Sequence, residues 1–184
     1  ELTIAEIERI IKKNTLEIEI FIHGAMCFSY SGGCLFSSYH GGKSGLRGNC
    51  VQPCRRKYTV SSASAKKKKS HAKSAYFFSM NDLEGIDLVD EFNRIGVSSL
   101  KIEGRLRSVN YVEQVVRAYR MVMDASPAER EEIRAEAKEL VKSALGRKAS
   151  TGFFLGEKSK GMIASHHSGN IGTYCGRISR IDKE

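Results

Sequence analysis

The chain predicts an α/β fold with a parallel sheet, and three observations carry the prediction. Helical and strand periodicities alternate along most of its length. The strands run out into glycine-rich or charged loops, as at the mouth of a barrel or open α/β sheet. At 184 residues the chain can bury one core, yet only three strands can be read, few for a sheet covered on both faces.

Thr3 to Lys13 opens with a capping box, Thr3 and Glu6, followed by Ile4, Ile7, Ile10 and Ile11 at helical spacing. Leu16, Ile18, Ile20 and Ile22 alternate with Glu17 and Glu19, which is a strand. It ends at His23-Gly24, so Glu19 and His23 become candidates for binding or proton transfer. Tyr76 to Ser79 reads as a short apolar strand. A helix carrying Leu83, Ile86, Leu88, Val89 and Phe92 follows, stopped at Gly96. Val97 to Ile102 is the third strand. It leads into Glu103, Gly104 and Arg105, and Lys101 and Glu103 share one face and can pair. Asn110 to Ala125 is a helix with a stripe of Val112, Val115, Val116, Tyr119, Val122 and Met123. A second helix starts at Ser126-Pro127-Ala128-Glu129 and ends at Gly146. Its face is Ile133, Ala137, Leu140, Val141, Ala144 and Leu145. From Thr151 the chain becomes turn-rich. His166 and His167 read as a surface loop, and Gly172 to Ile181 as the first strand of a small β region.

Between the first two strands lies the stretch that organises the rest. Four of five cysteines, Cys27, Cys34, Cys50 and Cys54, are spaced C-x6-C-x15-C-x3-C. Gly24, Gly32, Gly33, Gly41, Gly42, Gly45 and Gly48 lie among or beside them. So much glycine argues against regular helix or strand and for a loop that wraps closely around something. Three readings stand: an iron–sulfur site held by four thiolates, a structural zinc, or disulfides and unrelated buried thiols. Only Cys50 and Cys54 approach the paired spacing usual for zinc. Cys175 is too distant in sequence to be grouped with them.

Lys and Arg number 30 against 21 Asp and Glu, a net charge of +9, which favours polyanionic partners over neutral ones. Arg47, Arg55, Arg56 and Lys57 bracket the last two cysteines, and Lys66, Lys67, Lys68, Lys69 and Lys73 follow in a Ser/Ala/Lys-rich connection. These cations can hold phosphates or stabilise thiolates. No apolar run approaches the roughly 20 residues that cross a bilayer, and nothing at the N-terminus reads as a secretory signal. The expectation is a cytoplasmic protein with reduced thiols.

The segments HGAMC, YSGGC, RGNCVQPCRRKY, FFSMNDLEGIDLVDEF and SLKIEGRLRS resemble, in this order, the core of the peptidase U32 family of collagenase-like proteins. The resemblance runs from Glu1 to about Ile163. Family members often carry Arg before the second cysteine, where this chain has Gly33. The resemblance implies a TIM-type (β/α) barrel of which this sequence holds the C-terminal half. Residues 1–150 would be that half, with the cysteine loop at 23–58, and 151–184 the start of a small β region. A partner chain, a second copy or a missing half would complete the barrel. The resemblance also implies a [4Fe-4S] cluster on Cys27, Cys34, Cys50 and Cys54 and hydroxylation without molecular oxygen. Its substrates would be pyrimidines of tRNA or rRNA, with prephenate as oxygen source, or a ubiquinone precursor. Lys101, Glu103 and Arg105 gain a site role because KIEGR is among the matching segments. A peptidase, as the family name asserts, is the alternative, and a Cys27/His23 dyad is conceivable. No G-x-S-x-G or H-E-x-x-H motif supports it. A non-catalytic RNA-binding or assembly subunit is the third reading.

Overall fold

The computed structural model describes residues 1–60, 74–142, 144, 146–156, 161–169 and 176–180. Helix α1, Ile4–Lys13, starts as its sequence demands. The Glu6 amide donates to the Thr3 hydroxyl at 3.3 Å, and the Glu6 carboxylate accepts from the Thr3 amide at 2.8 Å. Ile7 buries its side chain while Ile10 stays exposed.

Strand β1 runs Glu19–Ala25, three residues later than the alternation from Leu16 suggested. Leu16 is exposed, and Glu19 is the first strand residue rather than one near the end that launches the loop. The other elements follow in order. They are α2, Phe36–Gly41; β2, Tyr58–Thr59; β3, Ser74–Ala75; β4, Asp82–Glu84; α3, Val89–Ile95; β5, Ser99–Ile102; α4, Val109–Asp124; α5, Arg130–Lys142; and β6, Ala149–Ser150.

The fold is mixed α/β, and the main sheet has the order β5-β1-β4-β6. β1 pairs parallel with β5, and β4 pairs parallel with β6, as an α/β sheet requires. The β1–β4 pair is antiparallel, so the expectation of a purely parallel sheet is corrected. A second correction explains it. Tyr76 to Ser79 is not a strand but contains a turn; the pairing residues are the next ones, with Leu83 in β4 rather than in a helix. The chain crosses the sheet end through the cysteine loop and re-enters from the opposite direction.

Helices α4 and α5 pack on each other and share one core with Ile20 and Ile22 of β1. The buried stripe of α4 is Tyr111, Val115, Ala118, Tyr119 and Val122. Val112, Val116 and Met123, expected in the core from their apolarity, stay exposed because the buried arc of α4 is centred on Val115 and Tyr119. From α5, Ala137 and Val141 enter the core. Arg130 and Arg134 each reach Asp90 at 2.8 Å, tying α5 to α3. Gly96 ends α3 in the left-handed conformation. In the turn before α5, the Ser126 hydroxyl donates to the Glu129 carboxylate.

Residues 151–156 and 161–169 pack on the same body. Phe154 stacks edge-on against Phe92 at 4.7 Å, and its carbonyl accepts from the Ile4 amide at 3.0 Å. The Ala164 amide donates to the Ser79 carbonyl at 2.7 Å. The strand read over Gly172 to Ile181 falls largely outside the described residues, and Gly176–Arg180 carry no ladder. Leu145, Cys175 and the Lys66–Lys69 run with Lys73 also lie outside them. No described helix is long and apolar enough to cross a membrane.

Phe92 is 1% exposed at the contact of α3 with the rest of the core. Phe92→Ala should cost about 3–5 kcal/mol. Urea unfolding followed by circular dichroism checks this, and a loss below about 1 kcal/mol would place Phe92 outside the core.

Candidate functional site

The glycine-rich loop leaves the end of β1, yet it is not shapeless. Contrary to the sequence expectation, it contains the helix α2, whose Phe36 starts a small core of its own. Phe36 stacks on Tyr58 at 5.9 Å and meets Phe78 at 6.2 Å, and Phe28 meets Phe78 at 5.1 Å. The Tyr58 hydroxyl donates to the Pro53 carbonyl at 2.9 Å. Phe78, expected in a strand, instead supplies the wall against which the loop folds.

Arg55 fastens this loop to the sheet. Its guanidinium donates to the Met26 carbonyl at 2.7 Å, to the Ser79 hydroxyl at 3.1 Å and to the Met80 carbonyl. One side chain thus grips the backbone beside Cys27 and the start of β4, and is itself the neighbour of Cys54. Burial, reinforced by Arg147, lowers its pKa from the ordinary arginine value. Its donors are committed within the protein, which separates it from Arg47, Arg56 and Lys57. Those three are exposed and have no carboxylate partner among the described residues.

All four loop thiols are free. Backbone amides of Phe36 and Gln52 donate to the sulfurs of Cys34 and Cys50, each at 3.3 Å. Cys27 Sγ lies 3.1 Å from the Ser29 hydroxyl. Burial pushes the Cys54 thiol up, Arg55 opposes this, and Cys27, Cys50 and Cys34 push it up further. Among the described residues, no three His, Cys, Asp or Glu side chains are close enough to share one metal ion. A four-iron cluster takes its thiolates further apart than a single ion does, and amide donors to sulfur are among the contacts that tune such centres. Disulfides are absent among these four.

Beneath the loop lies a buried polar layer that the sequence did not reveal. In the pairing with β5, the ladder slips between Phe21 and His23. Beyond this irregularity the 1%-exposed His23 packs on Tyr119 and Tyr111 of α4. The Tyr119 hydroxyl donates to the Ile22 carbonyl at 3.1 Å and accepts from the Gly85 amide at 3.0 Å. Its single proton is then used, so His23 Nδ1, 3.2 Å away, must be the donor to it. His23 is therefore the Nδ1–H tautomer, and its Nε2 is a bare, buried acceptor without a partner among the described residues. Burial draws its pKa down to about 4, partly offset by Asp82 and assisted by Arg107. Asp82 is itself buried, 2.8 Å from Arg147 and 3.7 Å from Arg107. His23 is legible in the sequence as a candidate at a strand end; Tyr119 and Asp82 are not legible as its neighbours, because they lie far from it in the chain.

The remaining candidates sit at the rim. Lys101 does not pair with Glu103; it bonds Glu19 at 2.7 Å across the exposed β1–β5 face, and that bond chiefly holds the Glu19 pKa below its usual value. Glu103 accepts from the Arg105 amide at 2.8 Å, and Arg105 donates to the Gly48 carbonyl at 2.7 Å. Gly24 makes this rim possible. Its φ is +115°, and a Cβ there would lie 2.7 Å from Glu103 Cβ. A Cys27/His23 dyad is not formed among the described residues: Cys27 Sγ meets the Ser29 hydroxyl, and His23 Nε2 has no hydrogen-bond partner. Beside this rim an open cavity of about 610 Å³ runs along β1, lined by Phe21, His23, Met26, Cys27, Leu83 and Glu103 among others. His166 is exposed, as a surface loop would have it.

A small α/β body carrying four free thiols on a clasped, basic loop is the class of protein these features define. The chain belongs to peptidase family U32, whose model matches residues 1–164. It is 34% identical over 191 residues to tRNA hydroxylation protein P1 of Bacillus subtilis (strain 168), covering 100% of this chain and 45% of the relative. It is 37% identical over 130 residues to 23S rRNA 5-hydroxycytidine C2501 synthase of Escherichia coli (strain K12), covering 71% of this chain and 19% of that one. It is 37% identical over 114 residues to a collagenase of Porphyromonas gingivalis, covering 62% and 31%. The chain thus spans less than half the length of these relatives. No solved structure matches it.

The His23 assignment has a pH consequence. Its folded pKa lies below the unfolded value near 6.5, so the unfolded chain takes the proton first as pH falls. Its contribution is fully present above about pH 6.5 and is lost as pH falls toward about 4. The loss is of the order of 3 kcal/mol for His23 and should be much reduced in His23→Gln. Denaturation at pH 7 and pH 4.5 tests this, together with ¹⁵N spectra of the imidazole. A protonated Nε2 at pH 7 would overturn the tautomer.

Proposed function

We propose that this protein is a [4Fe-4S] protein for oxygen-independent hydroxylation of a pyrimidine in tRNA or rRNA. The observation that carries the reading is the gathering of four free thiols on one clasped loop, in a family member whose relatives are named for tRNA and rRNA hydroxylation. Cys27, Cys34, Cys50 and Cys54 would hold the cluster, which supplies one-electron redox chemistry when bound. The Phe36 and Gln52 amides would set the electron density on two of its sulfurs. Arg55 keeps the two ends of the loop in place. His23, neutral at pH 7, offers Nε2 as an acceptor and is not a proton source there. Prephenate is the proposed oxygen donor, and the exposed Arg47 and Arg56 suit its carboxylates. The cavity along β1 would be closed by the rest of a (β/α) barrel, on the same chain or another. The reducing cytoplasm, where thiols stay free, is the compartment that fits.

A peptidase is the second reading, favoured by the similarity to the Porphyromonas collagenase. The unpaired Cys27 and His23 count against a thiol nucleophile with a histidine base.

Protein purified without oxygen should be brown, with about four irons per chain, and should give an electron paramagnetic resonance signal on reduction. Cys50→Ser should lose the colour and most of the iron. Colourless, iron-free protein that cleaves gelatin would instead establish the peptidase.

A further inference from the structure

We infer that the outer surface of the cysteine loop is a stacking platform for single-stranded RNA, with Tyr30 and Tyr39 as the base-stacking residues. This rests on the RNA reading above and names the residues that would perform it. The first observation is exposure. Tyr39 is 87% exposed and Tyr30 82%, whereas Tyr111 and Tyr119 are buried and Tyr58 is part-buried in the loop's own core. Neither exposed hydroxyl has a hydrogen-bond partner among the described residues, and none of those residues buries either ring. Tyr30 lies between Cys27 and Cys34, and Tyr39 between Cys34 and Cys50, so both rings are carried by the loop that Arg55 and Phe78 hold in place.

The second observation is charge. The segment from Ile20 to Asn81 contains ten Lys or Arg and no Asp or Glu, whereas the remainder of the chain carries 20 against 21. The entire positive excess therefore belongs to the segment that holds the cysteines. Lys43, Arg47, Arg56 and Lys57 are its exposed members in the described part of the loop, and no carboxylate pairs with them there. A surface with cations alone would attract any polyanion. Exposed cations and exposed aromatic rings on one loop, Tyr30 and Tyr39 with Lys43, Arg47, Arg56 and Lys57, match a strand whose bases are unstacked and free to lie on a ring. A paired duplex offers its phosphates but not its base faces.

The two contributions have different signatures. Stacking is insensitive to salt, while each phosphate contact on a single strand adds about 0.7 to the slope of log affinity against log salt. The test uses the full chain, purified without oxygen, and a fluorescein-labelled single-stranded RNA of mixed sequence, with a duplex of equal length beside it. Tyr39→Ala and Tyr30→Ala should each weaken single-strand binding by roughly tenfold, with the salt slope unchanged. Tyr→Phe at either position should restore most of the affinity. Replacing Lys43, Arg47, Arg56 and Lys57 together by Gln should lower the slope by about 3. Both tyrosines are at the surface, so circular dichroism and thiol titration should match the parent protein. If the parent binds single strands but the Ala variants bind equally well, or if duplex binds as tightly as single strand, the platform is overturned and the RNA reading survives. If the parent binds no RNA even at low salt, both fall. Binding to anionic vesicles in place of RNA would assign the patch to a membrane surface and overturn the platform as well.

Discussion

A loop with this much glycine loses a large conformational entropy when it holds four sulfurs in one region, and the Arg55 guanidinium is what that arrangement depends on. Buried charge is expensive unless its donors are satisfied. Here they are satisfied by the Met26 and Met80 carbonyls and the Ser79 hydroxyl, which lie at the end of β1 and the start of β4. The same contacts that make Arg55 tolerable therefore join the loop to the sheet. Phe28, Phe36, Tyr58 and Phe78 add an apolar wedge under the loop. Between them, the thiols are presented by a small folded unit and not by a slack tether.

The layer below works by a similar logic. The Tyr119 hydroxyl uses its one proton and both acceptor positions on Ile22, Gly85 and His23. That saturation fixes the histidine tautomer, and burial fixes its charge. Asp82, held by Arg147 and Arg107, sits in the same layer. A buried polar layer in which His23 Nε2, Asp82 Oδ2 and Asn81 Oδ1 lack hydrogen-bond partners among the described residues is a defined chemical environment next to the cysteine loop.

Local patterns in the sequence are readable where short-range physics decides the outcome. The Thr3/Glu6 box, the Gly96 stop and the helix over Val109–Asp124 all depend on residues within a turn or two of one another. The Tyr76 to Ser79 segment misleads because an apolar aromatic run looks alike whether it pairs in a sheet or walls a loop. Val112 and Val116 mislead because apolarity does not say which arc of a helix will face its neighbour. The pairing of Lys101 with Glu19, not Glu103, requires knowing that β1 and β5 are adjacent and parallel.

By itself the sequence determined the four-cysteine spacing, the concentration of positive charge around it, the alternation of helix and strand, and the family to which the chain belongs. These are properties of residue order and composition. Tertiary structure alone decided that Arg55 clasps the loop to the sheet, that β4 runs antiparallel to β1, and that His23 faces Tyr119 with Nε2 unpartnered among the described residues. Each of these depends on groups far apart in the chain, from 24 residues between Arg55 and Ser79 to 96 between His23 and Tyr119, and only packing brings them within reach.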